Sequence, residues 1–143
     1  MDIQELVHAQ RTYFDTGATR PYAFRLLQLK KLQQALRDNE QLLEQAMMQD
    51  FRKAPMEVYM CETGMVLEEL RFHLKHLKGW MRERAVPTPL AQFLSKSFVS
   101  PEPYGVALII SPWNYPVQLC LSPLVGAISG GNCAIVKPSA YAP

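Results

Sequence analysis

The stretch from residue 105 to residue 143 most constrains how this chain can fold, because its only charged side chain is Lys137. A globular chain spares charge over so long a stretch where most of it is buried. Prolines and glycines interrupt the stretch repeatedly, which argues against a single membrane-spanning helix. Buried amides and ammonium groups need polar partners. Asn114 and Lys137 are therefore the first candidates for a functional site.

The content of charged residues falls and that of prolines rises near Pro87. The first 86 residues carry 25 of the 28 formal charges, whereas nine of the eleven prolines lie at or after Pro87. This change in composition predicts three parts: a helical part over 1–86, a strand or hairpin arm over 87–104, and the apolar segment 105–143.

The first part has helical periodicity. Apolar residues at spacings of three and four follow Pro21 and predict a helix that Asn39 ends. A shorter helix should follow, and after Pro55 a long one. The apolar stripe predicted for the long helix consists of Val58, Cys61, Met65, Leu70, Leu74, Leu77 and Met81.

The later parts have strand and turn signals. Residues 93–99 alternate weakly, as in an exposed strand or hairpin arm. Residues 106–110 are apolar without alternation, which predicts a strand covered on both faces. A helix over 115–129, ended by Gly130 and Gly131, leads to a second buried strand over 134–136. The sequence thus predicts an α/β fold, with a helical layer followed by the first strand-helix-strand unit of a Rossmann-like parallel sheet.

Both candidate residues fall where this crossover would collect a ligand. Asn114 follows the first strand and Lys137 ends the second, and ligands bind outside the carboxyl ends of such strands. The amide can donate to a developing oxyanion, and the ammonium can donate to sugar hydroxyls or phosphates. A turn asparagine and a surface lysine are the structural alternatives. The chain has no GxGxxG motif or P-loop to decide between them.

Composition argues against nucleic-acid binding, a metal site, a disulfide framework and secretion. A net charge of +2 from 15 basic and 13 acidic residues, interspersed along the chain, gives no basic patch for nucleic acid or an acidic membrane. Three widely spaced cysteines predict neither a disulfide framework nor a zinc site. The three histidines lack partners at metal-ligand spacing. The acidic, amphipathic N-terminus is unlike a secretory signal, so we expect a reducing, cytoplasmic location.

Several motifs together resemble the nicotinamide-dependent aldehyde dehydrogenases. In order along the chain they are Glu102-Pro103-x-Gly105, Ser111-Pro112-Trp113-Asn114-Tyr115-Pro116, Gly126-Ala127, Gly131-Asn132 and Lys137-Pro138-Ser139. The helix start at Arg20-Pro21 and the long helix after Pro55 resemble the compact branch that includes fatty and aromatic aldehyde dehydrogenases. The resemblance covers almost the whole chain.

The resemblance implies roles for individual residues. Asn114 matches the oxyanion-hole amide, and Lys137 matches the lysine that bonds the adenosine ribose of NAD or NADP. Ile110, Pro112 and Trp113 match the wall at the strand end beside the cofactor. The strand near 93–99 matches a dimer-forming arm, so a homodimer is expected. The implied reaction oxidises an aldehyde to a carboxylic acid through a cysteine thioester.

Two departures from the family pattern qualify these expectations. Ala140 stands where the family usually has an acidic residue, which favours tolerance of NADP. The family's nucleophilic cysteine and general-base glutamate lie downstream of residue 143, and no cysteine here matches the nucleophile's motif. The chain alone is therefore expected to be inactive. The alternative is a non-enzymatic, truncated product that acts as a binding or oligomerisation partner.

Overall fold

A computed structural model describes residues 2–142 as six α-helices, four strands and two short helical turns. The α-helices are α1 (Ile3–Asp15), α2 (Tyr22–Asp38), α3 (Glu40–Phe51), α4 (Pro55–Val58), α5 (Gly64–Trp80) and α6 (Pro116–Gly130). The strands are β1 (Arg84–Val86), β2 (Ser97–Val99), β3 (Val106–Ile110) and β4 (Cys133–Lys137). A π-helical turn spans Tyr59–Thr63, and a 3₁₀ turn spans Leu90–Gln92.

Helices α2, α5 and α6 enclose the core. The predicted bounds of α2 are confirmed, since the helix begins after Pro21 and the side-chain amide of Asn39 donates to the Ala35 carbonyl oxygen at 2.8 Å. Burial of apolar side chains between these helices drives their packing. The buried cluster is made of Leu29, Leu36, Val66, Leu67, Leu70, Leu77 and Val125.

The long helix after Pro55 forms, but its buried stripe differs from the predicted one. Helix α4, the π-helical turn and α5 follow one another without a break from Pro55 to Trp80. Met65 is 51% exposed, whereas Glu62 and Val66 are fully buried. The prediction for Met65 was wrong because a π turn holds an extra residue and so rotates the residues after it about the helix axis. A glutamate was also not expected on an apolar stripe.

The arm between the helices and the parallel sheet is a short hairpin. Strand β1 pairs with β2 in antiparallel register, with Arg84 opposite Val99. The strand predicted within 93–99 is confirmed for its last three residues, whereas Phe93 and Leu94 lie in an exposed turn. The short strand β1 lies within the range 1–86, and its three residues are too few for a periodic signal.

The predicted crossover unit is confirmed. Strands β3 and β4 are parallel and helix α6 connects them, so the fold class is α/β. Gly131 ends α6 in the left-handed conformation at φ 81°, which glycine adopts without steric cost. The ladder runs from Val106 opposite Cys133 to Ile110 opposite Lys137. The carboxyl ends of both strands therefore meet at one edge.

The sheet is covered unevenly, contrary to the expectation for β3. Ile109 is only 7% exposed, whereas Leu108 and Ile110 on the opposite face are 64% and 67% exposed. Helix α6 packs along one face, and α1 covers the other only in part. A continuous apolar run predicts a strand that can be buried on both faces. In the described residues, the face of β3 that carries Leu108 and Ile110 is largely exposed.

Among residues 2–142, no helix combines the length and the apolar character needed to cross a membrane.

Candidate functional site

The site begins at the carboxyl edge of the parallel pair. Ile110 lies opposite Lys137, and the backbone N–H of Ser111 donates to the Lys137 carbonyl oxygen at 3.1 Å. This bond extends the ladder one residue beyond β3. The loop that carries Asn114 therefore leaves the sheet from a fixed position beside Lys137.

A buried serine and a left-handed tyrosine shape that loop. The hydroxyl of Ser111, 3% exposed, lies 3.2 Å from the carbonyl oxygen of Pro116, across the loop. Tyr115 has φ 54° and ψ 54°, a conformation that costs a non-glycine residue about 1–2 kcal/mol. Between them, Asn114 is exposed. Strain of this kind persists where the surroundings fix the backbone, often at functional sites.

A fully buried carboxylate holds the start of α6. Oε2 of Glu62 accepts from the backbone N–H groups of Val117 at 3.1 Å and Gln118 at 2.9 Å. Its Oε1 accepts from Nζ of Lys53 at 2.6 Å. The first N–H groups of a helix have no partner within the helix, and a carboxylate there also complements the helix dipole.

The Lys53 ammonium has a second contact. It lies 4.4 Å from the ring centre of Tyr115, within range of a cation–π interaction. Lys53 thus joins the buried carboxylate of Glu62 to the ring of the strained residue beside Asn114. Sequence reasoning missed both Lys53 and Glu62, because lysine and glutamate side chains usually belong to solvated surfaces.

The residues expected to hold a cofactor occupy this edge in two groups. Ile110 and Lys137 are exposed and line a groove of about 730 Å³ between the sheet and α1. Pro112 is half-buried, and Trp113 is 58% exposed in the loop above. Asn114 lies in the same loop rather than in the wall of the groove. The structure thus places all five residues at one edge, with Asn114 and Lys137 on separate segments.

The cysteines lie at three different places, and Cys120 lines a pocket together with Pro116 and Pro138, next to this edge. Cys133 opposes Val106 at the amino end of the ladder, Cys120 lies within α6, and Cys61 lies in the π-helical turn. Burial raises the pKa of the Cys120 and Cys133 thiols. A thiol with a raised pKa stays protonated at neutral pH and is a poor nucleophile.

Two of the histidines make local contacts on α5. Nε2 of His73 lies 3.0 Å from Oε1 of Glu69, and Nδ1 of His76 lies 2.8 Å from the Phe72 carbonyl oxygen. Over residues 2–142, no three His, Cys, Asp or Glu side chains converge as metal ligands would.

A parallel strand-helix-strand unit with polar groups at its carboxyl edge is typical of α/β proteins that bind ligands at that edge. The aldehyde dehydrogenase family model matches residues 1–143, and the chain belongs to that family. It is 45% identical over 129 residues to aldehyde dehydrogenase family 3 member B1 of Bos taurus, covering 90% of this chain and 28% of that protein. It is 41% identical over 141 residues to 4,4'-diaponeurosporen-aldehyde dehydrogenase of Staphylococcus aureus, covering 99% and 31%.

Solved structures agree with this assignment. The substrate-bound state of Staphylococcus aureus AldH superposes with a TM-score of 0.91 at 42% identity, covering 97% of this chain and 31% of that one. Glyceraldehyde-3-phosphate dehydrogenase GapN of Methanocaldococcus jannaschii, solved with NADP, has a TM-score of 0.83 at 20% identity, covers 98% and 29%, and shows the fold alone. The chain spans less than a third of the relatives it matches, so it has part of an aldehyde dehydrogenase fold.

Proposed function

We propose that this chain is the N-terminal segment of an aldehyde dehydrogenase that oxidises an aldehyde to a carboxylic acid with NAD or NADP. Family membership and the coverage of 28% and 31% of two relatives support a segment of a larger enzyme. The observation that carries the proposal is the anchored loop of Asn114 at the same sheet edge as Lys137.

Asn114 is the proposed oxyanion donor. Its exposed amide precedes the N-terminus of α6, where the helix dipole favours negative charge. An amide N–H can donate to the aldehyde oxygen as negative charge develops during nucleophilic attack, with no change in its own protonation. This role requires the amide to lie within hydrogen-bond distance of that oxygen, and the anchored loop fixes the backbone that carries the amide.

The edge also fits the dinucleotide. Lys137 has three N–H donors for ribose hydroxyls and stands exposed at the end of β4. Ile110 lines the groove beside it, and Pro112 and Trp113 add an apolar wall in the loop. The bound nicotinamide would accept the hydride. These residues would hold and orient the cofactor and exclude water from its apolar side.

None of this chain's three cysteines matches the motif of the family's thiol nucleophile. Cys133 is at the opposite end of the ladder from Lys137, and burial raises the pKa of its thiol and of Cys120. The 143-residue chain is therefore expected to lack dehydrogenase activity. Robust NADH or NADPH formation by the pure chain would contradict this expectation.

Kinetics of a complete dehydrogenase polypeptide that begins with this sequence test the proposal. Asn114→Ala should lower kcat by about 10²–10³-fold, as loss of an oxyanion donor does. Lys137→Gln should instead raise the KM for the cofactor. Asn39→Ala is the matched control, since Asn39 caps α2 away from the sheet edge. An unchanged kcat in Asn114→Ala would rule out the oxyanion role.

A second candidate is a non-enzymatic, truncated product that binds a complete dehydrogenase subunit. The hairpin favours it, because Phe98 and Val99 on β2 are 55% and 48% exposed. Co-purification with a complete subunit, lost on Phe98→Glu, would support this candidate. An active complete polypeptide that forms homodimers without the short product would favour the enzyme. The cytoplasmic location stays a prediction for both.

A further inference from the structure

We propose that Glu62 is a positioning residue that sets the direction of the Asn114 amide by fixing the first turn of α6. The proposal rests on the oxyanion role proposed for Asn114. Glu62 does not touch the reacting atoms; it acts through the loop that α6 and β3 hold between them.

The hydrogen bonds of Glu62 define where α6 starts. Val117 and Gln118, whose N–H groups donate to its Oε2, follow Asn114 by three and four residues. At the other end of the loop, the Ser111 N–H is bonded to the Lys137 carbonyl oxygen. The backbone on both sides of Asn114 is therefore held, by the sheet at Ser111 and by Glu62 at the start of the helix.

The π-helical turn brings the carboxylate into the core. Glu62 is 0% exposed although it lies on a helix rich in charge. At Gly64 a Cβ atom would lie 2.5 Å from the Tyr59 carbonyl oxygen, so the turn requires glycine there. Turns of this kind occur frequently at functional sites. No neighbour on the same helix satisfies Glu62; its partners are Lys53 and the start of α6.

Lys53 connects Glu62 to the loop that carries Asn114. Its ammonium, whose side chain is 15% exposed, pairs with Glu62 and lies over the ring of Tyr115. Tyr115 adjoins Asn114 and holds a left-handed backbone that a non-glycine residue adopts only when its surroundings enforce it. One ion pair therefore contacts both the strained residue and the helix start.

Arg25 provides a matched control at the other end of α6. Its buried guanidinium donates to the Ser129 carbonyl oxygen at 3.2 Å, near the helix C-terminus. Ser129 follows Val117 by 12 residues, which places that end about 18 Å from the first turn. A change at Arg25 thus disturbs the same helix through a buried charge without touching the Asn114 loop.

The test compares kcat and KM in a complete dehydrogenase polypeptide that begins with this sequence. Glu62→Gln should lower kcat by about 10–100-fold, since misplacing a reacting group by about 1 Å costs up to that factor. The KM values for aldehyde and cofactor should change much less. Arg25→Lys, even where it lowers the melting temperature as much, should leave kcat nearly unchanged. Equal losses of kcat in the two variants would overturn the proposal.

A double-mutant cycle isolates the route through Asn114. In the Asn114→Ala background, Glu62→Gln should cause no further loss of kcat, because the group that it positions is gone. The same loss in both backgrounds would overturn the positioning role. An unchanged kcat in Asn114→Ala alone would instead refute the proposed function. If Glu62→Gln does not fold, Lys53→Gln replaces it in the same cycle, with the same two deciding outcomes.

Discussion

Arg25 and Gly131 are packed so closely that a Cβ atom at residue 131 would lie 2.5 Å from the guanidinium carbon. The guanidinium donates to the Thr19 carbonyl oxygen at 3.1 Å and to that of Ser129 at 3.2 Å. Burial lowers the pKa of Arg25, and the nearby Glu102 carboxylate opposes that effect. The end of α6, the turn into β4 and helix α2 therefore meet at one charged contact.

Gly131→Ala should destabilise the protein by about 1–3 kcal/mol, because alanine at φ 81° is strained and its methyl group displaces Arg25. The melting temperature of a complete polypeptide measures this. Gly126→Ala is the control: Gly126 is exposed within α6 and has open space at its Cβ. That variant should gain up to about 1 kcal/mol from helix propensity. An unchanged melting temperature in Gly131→Ala would contradict the packing described for Arg25.

Much of the fold could be predicted from the sequence because apolar periodicity and helix boundaries are local signals. The start of α2 after Pro21, the end of α6 at Gly131 and the parallel crossover are all encoded by residues within a few positions of each feature. Met65 was predicted inward because a one-residue shift in a π turn leaves no mark on composition.

The supporting residues of the candidate site could not be predicted in this way. Glu62 and Arg25 are buried only because partners 55 and 104 residues away in sequence satisfy them. A pattern of spacing contains no information on such distant partners. Asn114 and Lys137 were found because an otherwise uncharged segment makes its few polar residues conspicuous.

The buried Cys133 and the half-buried Cys120 predict a loss of stability at high pH. Burial raises the pKa of Cys120 and Cys133 above the ordinary value of 9.0. Their contribution to the free energy of unfolding is therefore full below pH 9.0 and declines as pH rises through the folded-state pKa. The rate of alkylation by iodoacetamide, measured against pH, should reach half of its maximum at a higher pH for Cys133 in the native protein than in the urea-unfolded protein. Coincident midpoints would contradict the prediction.

Cofactor choice should respond to a charge at residue 140. Ala140→Glu adds a carboxylate three positions after Lys137, where it would repel a 2′-phosphate. Repulsion of about 1 kcal/mol between exposed charges corresponds to about a fivefold rise in the KM for NADP relative to that for NAD. Ala140→Gln supplies the same size without charge and should leave the ratio unchanged. A strong preference of the unaltered complete enzyme for NAD would contradict NADP tolerance.

The open face of the sheet should make the isolated 143-residue chain self-associate. Leu108 is 64% exposed on a strand of a two-stranded sheet, next to the exposed Ile110. Apolar surface of this kind promotes aggregation. Sedimentation velocity should show less association for Leu108→Lys than for Leu42→Lys, a control leucine that is 62% exposed on α3. A soluble monomer with a sharp unfolding transition would contradict this expectation.

The two charges that hold α6 also bear on how the protein is made. Arg25 leaves the ribosome 104 residues before Ser129, its partner at the end of α6. At about 5–20 residues per second, Arg25 is made roughly 5–20 s before Ser129, and α2 spends that time without the helix that completes its core. Glu62 is added 37 residues after Arg25, and both side chains can meet their partners on α6 only after that helix has been made. Synthesis of the crossover helix is therefore the step that commits the helical layer to its native packing.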